Sequence, residues 1–233
     1  MEALDMLSNN LANAATSGYK LDREFYTLFT GAEDDPADGS DSIKLPQIQK
    51  QWTDFSQGTL QPTGSPLDLA LSGKGFFSVT GPSGPLYTRN GAFKLSQSGV
   101  LTTTEGYPVN TTTGGTIQTA SQNPLTVSSD GTVVQDGQPL GQIAVMDFTD
   151  RAVLQKMGTS YFTNGNSAAQ PAAADSVTVE QGKIEASNVN ASESAVRLVG
   201  VMRQFEMLQK AISVTTDMDK KSLDEVARVG SGL

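Results

Sequence analysis

The chemically capable residues of this chain are carboxylates, amides and one glycine-flanked lysine, because histidine and cysteine are both absent. Those absences remove the usual zinc ligands, thiol nucleophiles, the Ser-His-Asp triad and imidazole acid–base chemistry. Gly73-Lys74-Gly75 invites a phosphate loop, but a Walker A loop needs Gly where Asp68 stands and Ser or Thr where Gly75 stands. The stretch reads as a strand turn. Paired carboxylates can hydrolyse a glycosidic bond, and Asp68, Glu105, Asp130, Asp136 and Asp147 lie in or beside one β-rich region. Most stand at turn positions, where Asp bonds to its own local backbone; a hydrolase would need two of them facing each other across a cleft. The acidic run Glu33 to Ser42 resembles a calcium loop in composition. A loop starting at Asp34 would need an oxygen ligand at Pro36 and Glu at Leu45, so it reads as a solvated surface loop. Asn110-Thr-Thr112 and Asn190-Ala-Ser192 match the glycosylation triplet, and the second is better explained as a helix cap.

No chemistry emerges, so attention moves to the elements. From Asn190 to Val226, apolar side chains recur at Leu198, Val201, Phe205, Leu208 and Ile212, with Thr215 next and Val226 further on. Steps of three and four in alternation mark a helical seam with a period near 3.5. Asn190 can cap this helix, with Glu193 completing a capping box. Such a helix is a rod of roughly 54 Å, and each large side chain on it gains ~1.5–3 kcal/mol only if something covers it. Met202, Met207 and Met218 on the same helix suit core or interface filling better than metal binding. At the other end, Leu4, Leu7, Leu11 and Ala14 again fall on one helical face, and residues 1–13 read as a short amphipathic helix. The two helices differ greatly in length, so they cannot bury each other along their full extent. The remaining stripe requires another chain, which predicts an assembly subunit.

Between the helices the pattern is β throughout, from Ile43 to Val179. Asp-Gly, Asn-Gly and Ser-Gly pairs punctuate short alternating runs. Asn90-Gly91 predicts a type I′ hairpin pairing Thr88 with Phe93 and Leu86 with Leu95. A second meander is expected through Leu125–Ser128, Thr132–Gln135 and Gln142–Phe148, turning at Asp130-Gly131 and Asp136-Gly137. Tyr19 to Phe29 reads as extended chain or a short helix, Asn164 to Asp175 as a loop, and Val177 to Ile184 as a last strand. The expected class is mainly β with α termini: a central antiparallel β domain flanked by helices that pair in a coiled-coil-like layer. The expected domains are 1–30 (N-terminal helix and lead-in), 31–182 (central β domain) and 183–233 (long helix).

A net charge of −9 over 233 residues argues against nucleic acid as partner. No apolar run reaches the ~18 residues of a membrane span, and no basic-then-apolar start marks a cleavable secretion signal. No cofactor, metal, small-molecule substrate or direct membrane insertion is expected.

Ordered motifs then add a resemblance. Leu7-Ser-Asn-Asn-Leu-Ala-Asn13 with Thr16-Ser-Gly-Tyr-Lys20 resembles the N-terminal signature of bacterial flagellar rod and hook proteins. So do Leu67-Asp-Leu-Ala-Leu-Ser-Gly-Lys-Gly-Phe-Phe77, Tyr87-Thr-Arg-Asn-Gly91 and Glu105-Gly-Tyr-Pro-Val109 in the body. Gln181-Gly-Lys-Ile-Glu-Ala-Ser-Asn-Val189 and Arg203-Gln-Phe-Glu-Met207 complete the set near the end. Chain length and the last motif look most like a proximal-rod member, with distal-rod proteins next and hook proteins third. The resemblance implies a non-enzymatic axial subunit of the flagellar basal body. It would be exported through the flagellar type III apparatus without a cleaved signal, and would carry torque from motor to hook in the periplasm-spanning rod. Its terminal helices would form an inner layer and its β domain an outer one. Leu4, Leu7 and Leu11 would pack against Leu198, Val201, Phe205, Leu208 and Ile212 within or between subunits, joining other rod and hook-family subunits. Asn9, Asn10 and Asn13 would supply polar register contacts. Family members carry further residues before the position of Glu2, so the resemblance also implies an N-truncated first helix. The alternative class is a secreted or surface binding module, an adhesin, in which the β domain alone does the work.

Overall fold

Closely spaced turn signals leave room only for short strands, and the computed structural model contains mostly strands of two to six residues. It describes residues 2–29, 45–119, 121, 123–166, 168–174 and 176–230. The acidic stretch Glu33 to Ser42 lies outside the described residues. Two compact units result: Ala12–Val189, and Met1–Leu11 together with Asn190–Leu233.

The first unit is built on a six-stranded antiparallel sheet. Its spatial order is Leu154–Met157, Tyr161–Asn164, Gly84–Thr88, Phe76–Gly81, Val145–Asp147, Ala172–Ala173. Alternation along these strands sends neighbouring residues to opposite faces. Phe77, Val79, Leu86 and Tyr161 enter one buried cluster with Leu69, Leu101, Val109 and Ile117. Phe76, Tyr87 and Phe162 enter another with Phe148 and Leu154. The central strands are therefore covered on both faces and read as near-continuous apolar runs.

Smaller ladders surround the sheet. Leu69–Gly73 pairs with Val177–Gln181, and Leu60–Pro62 with Lys183–Glu185. Asp22–Phe29 is a strand, paired antiparallel with Leu45–Thr53, so the lead-in is extended. Two strands of the expected meander form, Thr126–Val127 and Thr132–Gln135, but the third is Gln138–Gln142. From the expected run Gln142–Phe148, Val145–Asp147 pairs instead with Phe76–Gly81 in the six-stranded sheet. Asp136 and Gly137 have φ of 54° and 78°, the pair of positive values a type I′ turn requires.

The hairpin expected at Asn90-Gly91 is absent. Leu86 and Thr88 pair with Val79 and Phe77, whereas Phe93 and Leu95 pair with Thr103 and Leu101. Neither Asn90 nor Gly91 has positive φ. Side chains carry the chain across instead: Asn90 N donates to Thr88 Oγ1 at 3.0 Å and Ala92 N to Asn90 Oδ1 at 3.1 Å. Glycine is required at position 91 for proximity, since a Cβ there would sit 1.7 Å from Leu69 O.

The second unit contains helix α1, Glu2–Ala12, and helix α2, Ala191–Gly230. The whole is mainly β with a short N-terminal and a long C-terminal helix, as expected. Among the described residues no helix is long and apolar enough to cross a membrane.

Candidate assembly interface

Helix α2 starts where its sequence provides a cap. Asn190 Oδ1 accepts from Glu193 N at 3.3 Å, and Asn190 O accepts from Ser194 N at 2.9 Å. The Glu193 carboxylate pairs with Arg197 one turn on, at 2.8 Å. With no proline inside, the helix runs 40 residues, about 60 Å. Hydroxyls of Ser213, Thr215 and Thr216 donate back to the carbonyls of Lys210, Ala211 and Ile212, so these residues are satisfied without a partner.

The expected stripe is uncovered along most of its length. Leu198 and Val201 are half-buried. Phe205, Leu208 and Ile212 are 43%, 58% and 67% exposed, so they collect little of the ~1.5–3 kcal/mol available to a buried large side chain. On α1, Leu4, Leu7 and Leu11 are half-buried and Asn10 is buried.

A second row was not singled out by the periodicity. At ~100° per residue, Val196, Gly200, Met207, Ala211, Val214 and Met218 share a face about 135° from the first. Its four larger members are each more than half exposed. The signal was legible as steps of four, seven, four, three and four, diluted by the small residues. From Ala195 to Met202 only Arg197 breaks an apolar circumference, the pattern of a helix segment surrounded on all sides.

The β unit contains the other arrangement that sequence reading missed. Glu185, fully buried, accepts from Lys20 Nζ at 2.5 Å and Gly58 N at 2.9 Å through Oε1. Its Oε2 accepts from Arg89 at 3.0 Å. Lys20 also donates to Ser56 O at 2.6 Å, and Arg89 to Leu71 O and Gly73 O at 3.4 and 2.7 Å. Backbone bonds reinforce the junction: Gly18 N donates to Glu185 O at 2.7 Å, and Leu21 N to Asn188 Oδ1 at 2.8 Å. A Cβ on Gly18 would lie 2.3 Å from Asn90 N, and its φ is +70°. Burial pulls the Lys20 ammonium below its ordinary pKa, with Glu185 opposing that shift. Three stretches read separately as motifs, around residues 16–20, 87–91 and 181–189, thus meet in one buried ionic clasp. It holds together the two ends of the β unit that lead to α1 and α2.

Among the described residues no group of acidic side chains could hold a metal ion. The five body carboxylates serve structure where bonds are seen. Asp147 forks onto Arg151, Asp130 caps Thr132, Asp136 accepts from Ser121 and Asn123, and Glu105 accepts from Tyr161.

Comparison with known proteins matches three segments of the chain to family models. Residues 2–20 match the flagella basal body rod protein family. Residues 70–135 match the flagellar hook protein FlgE/F/G D1 domain, and residues 180–225 the flagellar basal body rod FlgEFG protein C-terminal region. The flagellar basal-body rod protein FlgF of Caulobacter vibrioides is 31% identical over 228 residues, covering 97% of this chain and 92% of the relative. FlgG of Buchnera aphidicola subsp. Acyrthosiphon pisum is 30% identical over 241 residues, covering 94% and 92%. FlgG of Bacillus subtilis is 29% identical over 240 residues, covering 92% and 90%.

Proposed function

Since this chain belongs to the family of flagellar basal-body rod proteins, we propose that it is a structural rod subunit whose terminal helices join it to its neighbours. The observation that carries this reading is the pair of apolar rows left exposed on α2, whereas the β unit buries apolar clusters of its own. A single seam would make a closed pair. Two seams on one helix extend contact to neighbours on both sides, the heterologous geometry that builds open tubes. In this reading Leu4, Leu7 and Leu11 cover part of the row Leu198, Val201, Phe205, Leu208 and Ile212. Helices of adjacent subunits cover the rest, in a coiled-coil-like inner layer.

The partners are other rod and hook-family subunits, and the place is the basal body. Export through the flagellar type III apparatus without a cleaved signal, a periplasm-spanning position and transmission of torque to the hook belong to the same reading. A proximal, FlgF-type position is favoured by coverage: in Caulobacter vibrioides the FlgF relative spans 97% of this chain and the FlgG relative 92%, at 31% and 32% identity. The role is mechanical rather than catalytic. Nothing favours an adhesin, because the family match includes both helices rather than the β body alone.

The test is substitution on the exposed row. Phe205→Asp and Leu208→Asp should leave the purified chain as stable as the parent and abolish its recovery in isolated basal bodies. Normal incorporation and swimming by both variants would refute the reading.

A further inference from the structure

The Gly73-Lys74-Gly75 turn has no part in the helical interface, yet the fold builds it tightly. Gly73 and Gly75 have φ of +109° and +139°, and a Cβ on either would lie 2.5 Å from Ser176 O or 2.9 Å from Val145 Cγ1. Side chains at both positions are thus excluded, which holds Lys74 at the mouth of a 450 Å³ cavity. The cavity is lined by Phe55, Gln57, Gly73, Lys74, Arg89 and Arg151 among others.

This mouth is electrostatically unbalanced. Lys20 and Arg89 share the single carboxylate of Glu185, and Arg151 is matched by Asp147. Lys74 is exposed and has no ion-pair or hydrogen-bond partner among the described residues. Arg89 is buried, and its Nε meets no acceptor among the described residues. Three cations line the cavity, Lys74, Arg89 and Arg151, and the carboxylates paired with them are Glu185, which Lys20 also occupies, and Asp147, so Lys74 is left unmatched in a chain of net charge −9. Arg89 and Arg151 both lie against Phe76, with guanidinium carbons 5.4 and 6.0 Å from its ring, which fixes their positions. Positive charge held on rigid supports over an open cavity is an oxyanion seat.

We propose that this seat receives an aspartate or glutamate side chain from a second copy of this chain. The inference rests on the assembly reading above, which supplies the neighbour. Charge complementarity selects the ligand: each copy is strongly acidic, and packing copies side by side presents carboxylates at high effective concentration. The cavity has room for a side chain with its stem, and Phe55 offers that stem an apolar wall.

The experiment uses isolated basal bodies containing the full chain, treated with a zero-length carbodiimide that joins amines to touching carboxylates. A covalent dimer of the chain is expected, with Lys74 as the linked amine on peptide mapping. Lys74→Glu should lower recovery of the chain in basal bodies about tenfold, the worth of one charge-assisted hydrogen bond, while Lys74→Arg preserves it. Three results would overturn the seat: Lys74 recovered unlinked, Lys74 linked within its own chain, or Lys74 linked to a different rod protein. A melting temperature raised by sodium sulfate in the dilute monomer, lost in Lys74→Gln and unaccompanied by the dimer, would mean an adventitious ion only and would also overturn it. Disulfide cross-linking between α2 helices in parallel particles assembled from Leu208→Cys and Val214→Cys chains separates the two readings. If α2 links form and Lys74 does not, the seat alone fails; if neither forms, the assembly reading fails with it.

Discussion

Lys20 and Glu185 stand 165 residues apart in the chain and meet at 2.5 Å, both almost completely shielded from solvent. The contact ties the segment leaving α1 to the segment leading into α2, with Arg89 completing the site from the central sheet. A buried ion pair adds little net stability, but removing one partner strands an uncompensated charge. Its value here is in specifying where the two ends of the β unit lie.

That asymmetry gives a mutational prediction. Glu185→Gln leaves two buried cations without a counter-charge and should cost about 3–5 kcal/mol. Lys20→Met leaves the Arg89–Glu185 pair one-to-one and should cost at least ~2 kcal/mol less. Arg89→Lys should also destabilise, because one ammonium cannot reproduce bonds to Glu185, Leu71 O and Gly73 O. Urea unfolding followed by the fluorescence of Trp52, the one tryptophan, checks the order.

The same clasp shows what sequence reasoning reaches. Periodicity and capping are local, so α1, α2 and the Asn190 cap were legible, as was the Asp136-Gly137 turn. Asn90-Gly91 has the same turn chemistry, yet the chain crosses between sheets there, because Leu69 N, on a strand distant in sequence, donates to Gly91 O. Local propensity yields to such packing. Lys20, Arg89 and Glu185 fall in three separate motifs, and no local pattern encodes a meeting across so long a separation. The second α2 row was hidden for another reason: Gly200 and Ala211 interrupt it with residues too small to register as apolar anchors.

Glycine replacements should separate proximity from backbone conformation. Gly106→Ala has open space around its Cβ and a φ of +95°, so it should cost only the ~1–2 kcal/mol of a left-handed residue. Gly91→Ala has no such strain but drives a Cβ into Leu69 O, and Gly18→Ala meets both penalties at Asn90. Both should exceed Gly106→Ala clearly in the same urea titration.

Stability should fall in acid through identifiable groups. Burial pushes the Glu105 carboxyl upward, but hydrogen bonds from Tyr161 and neighbouring groups hold it below the usual range. For Asp54, burial is likewise outweighed by bonds from Ser56 and by Arg23. Between the depressed folded values and the ordinary carboxylate range the unfolded chain binds more protons, so stability rises with pH there and is lost as pH falls through that window. Tyr161→Phe removes the donor to Glu105 and should flatten the acid limb of a stability–pH curve. At high pH the sign reverses for Tyr161 and Tyr19, both raised chiefly by burial. Their folded forms keep a proton the unfolded chain has released, so stability declines above the ordinary tyrosine value, and Tyr19→Phe should reduce that decline.

The two rows of α2 make a prediction about symmetry that the absence of native cysteine makes clean to test. Leu208→Cys places one thiol on the first row, and Val214→Cys places one on the second. If the first row of one copy packs on the second row of the next, neither variant alone should cross-link to itself. Assemblies containing both should yield a disulfide-linked dimer, and the double variant should yield a ladder of higher species. The result follows from closure: a heterologous contact repeats indefinitely, while a two-fold contact ends at a pair. Self-dimers from each single variant would mean instead that each row faces its own copy, and the double variant would then ladder through two alternating two-fold contacts. Copies joined in that way alternate in direction, so self-dimers from the single variants would overturn the head-to-tail packing of the first row on the second.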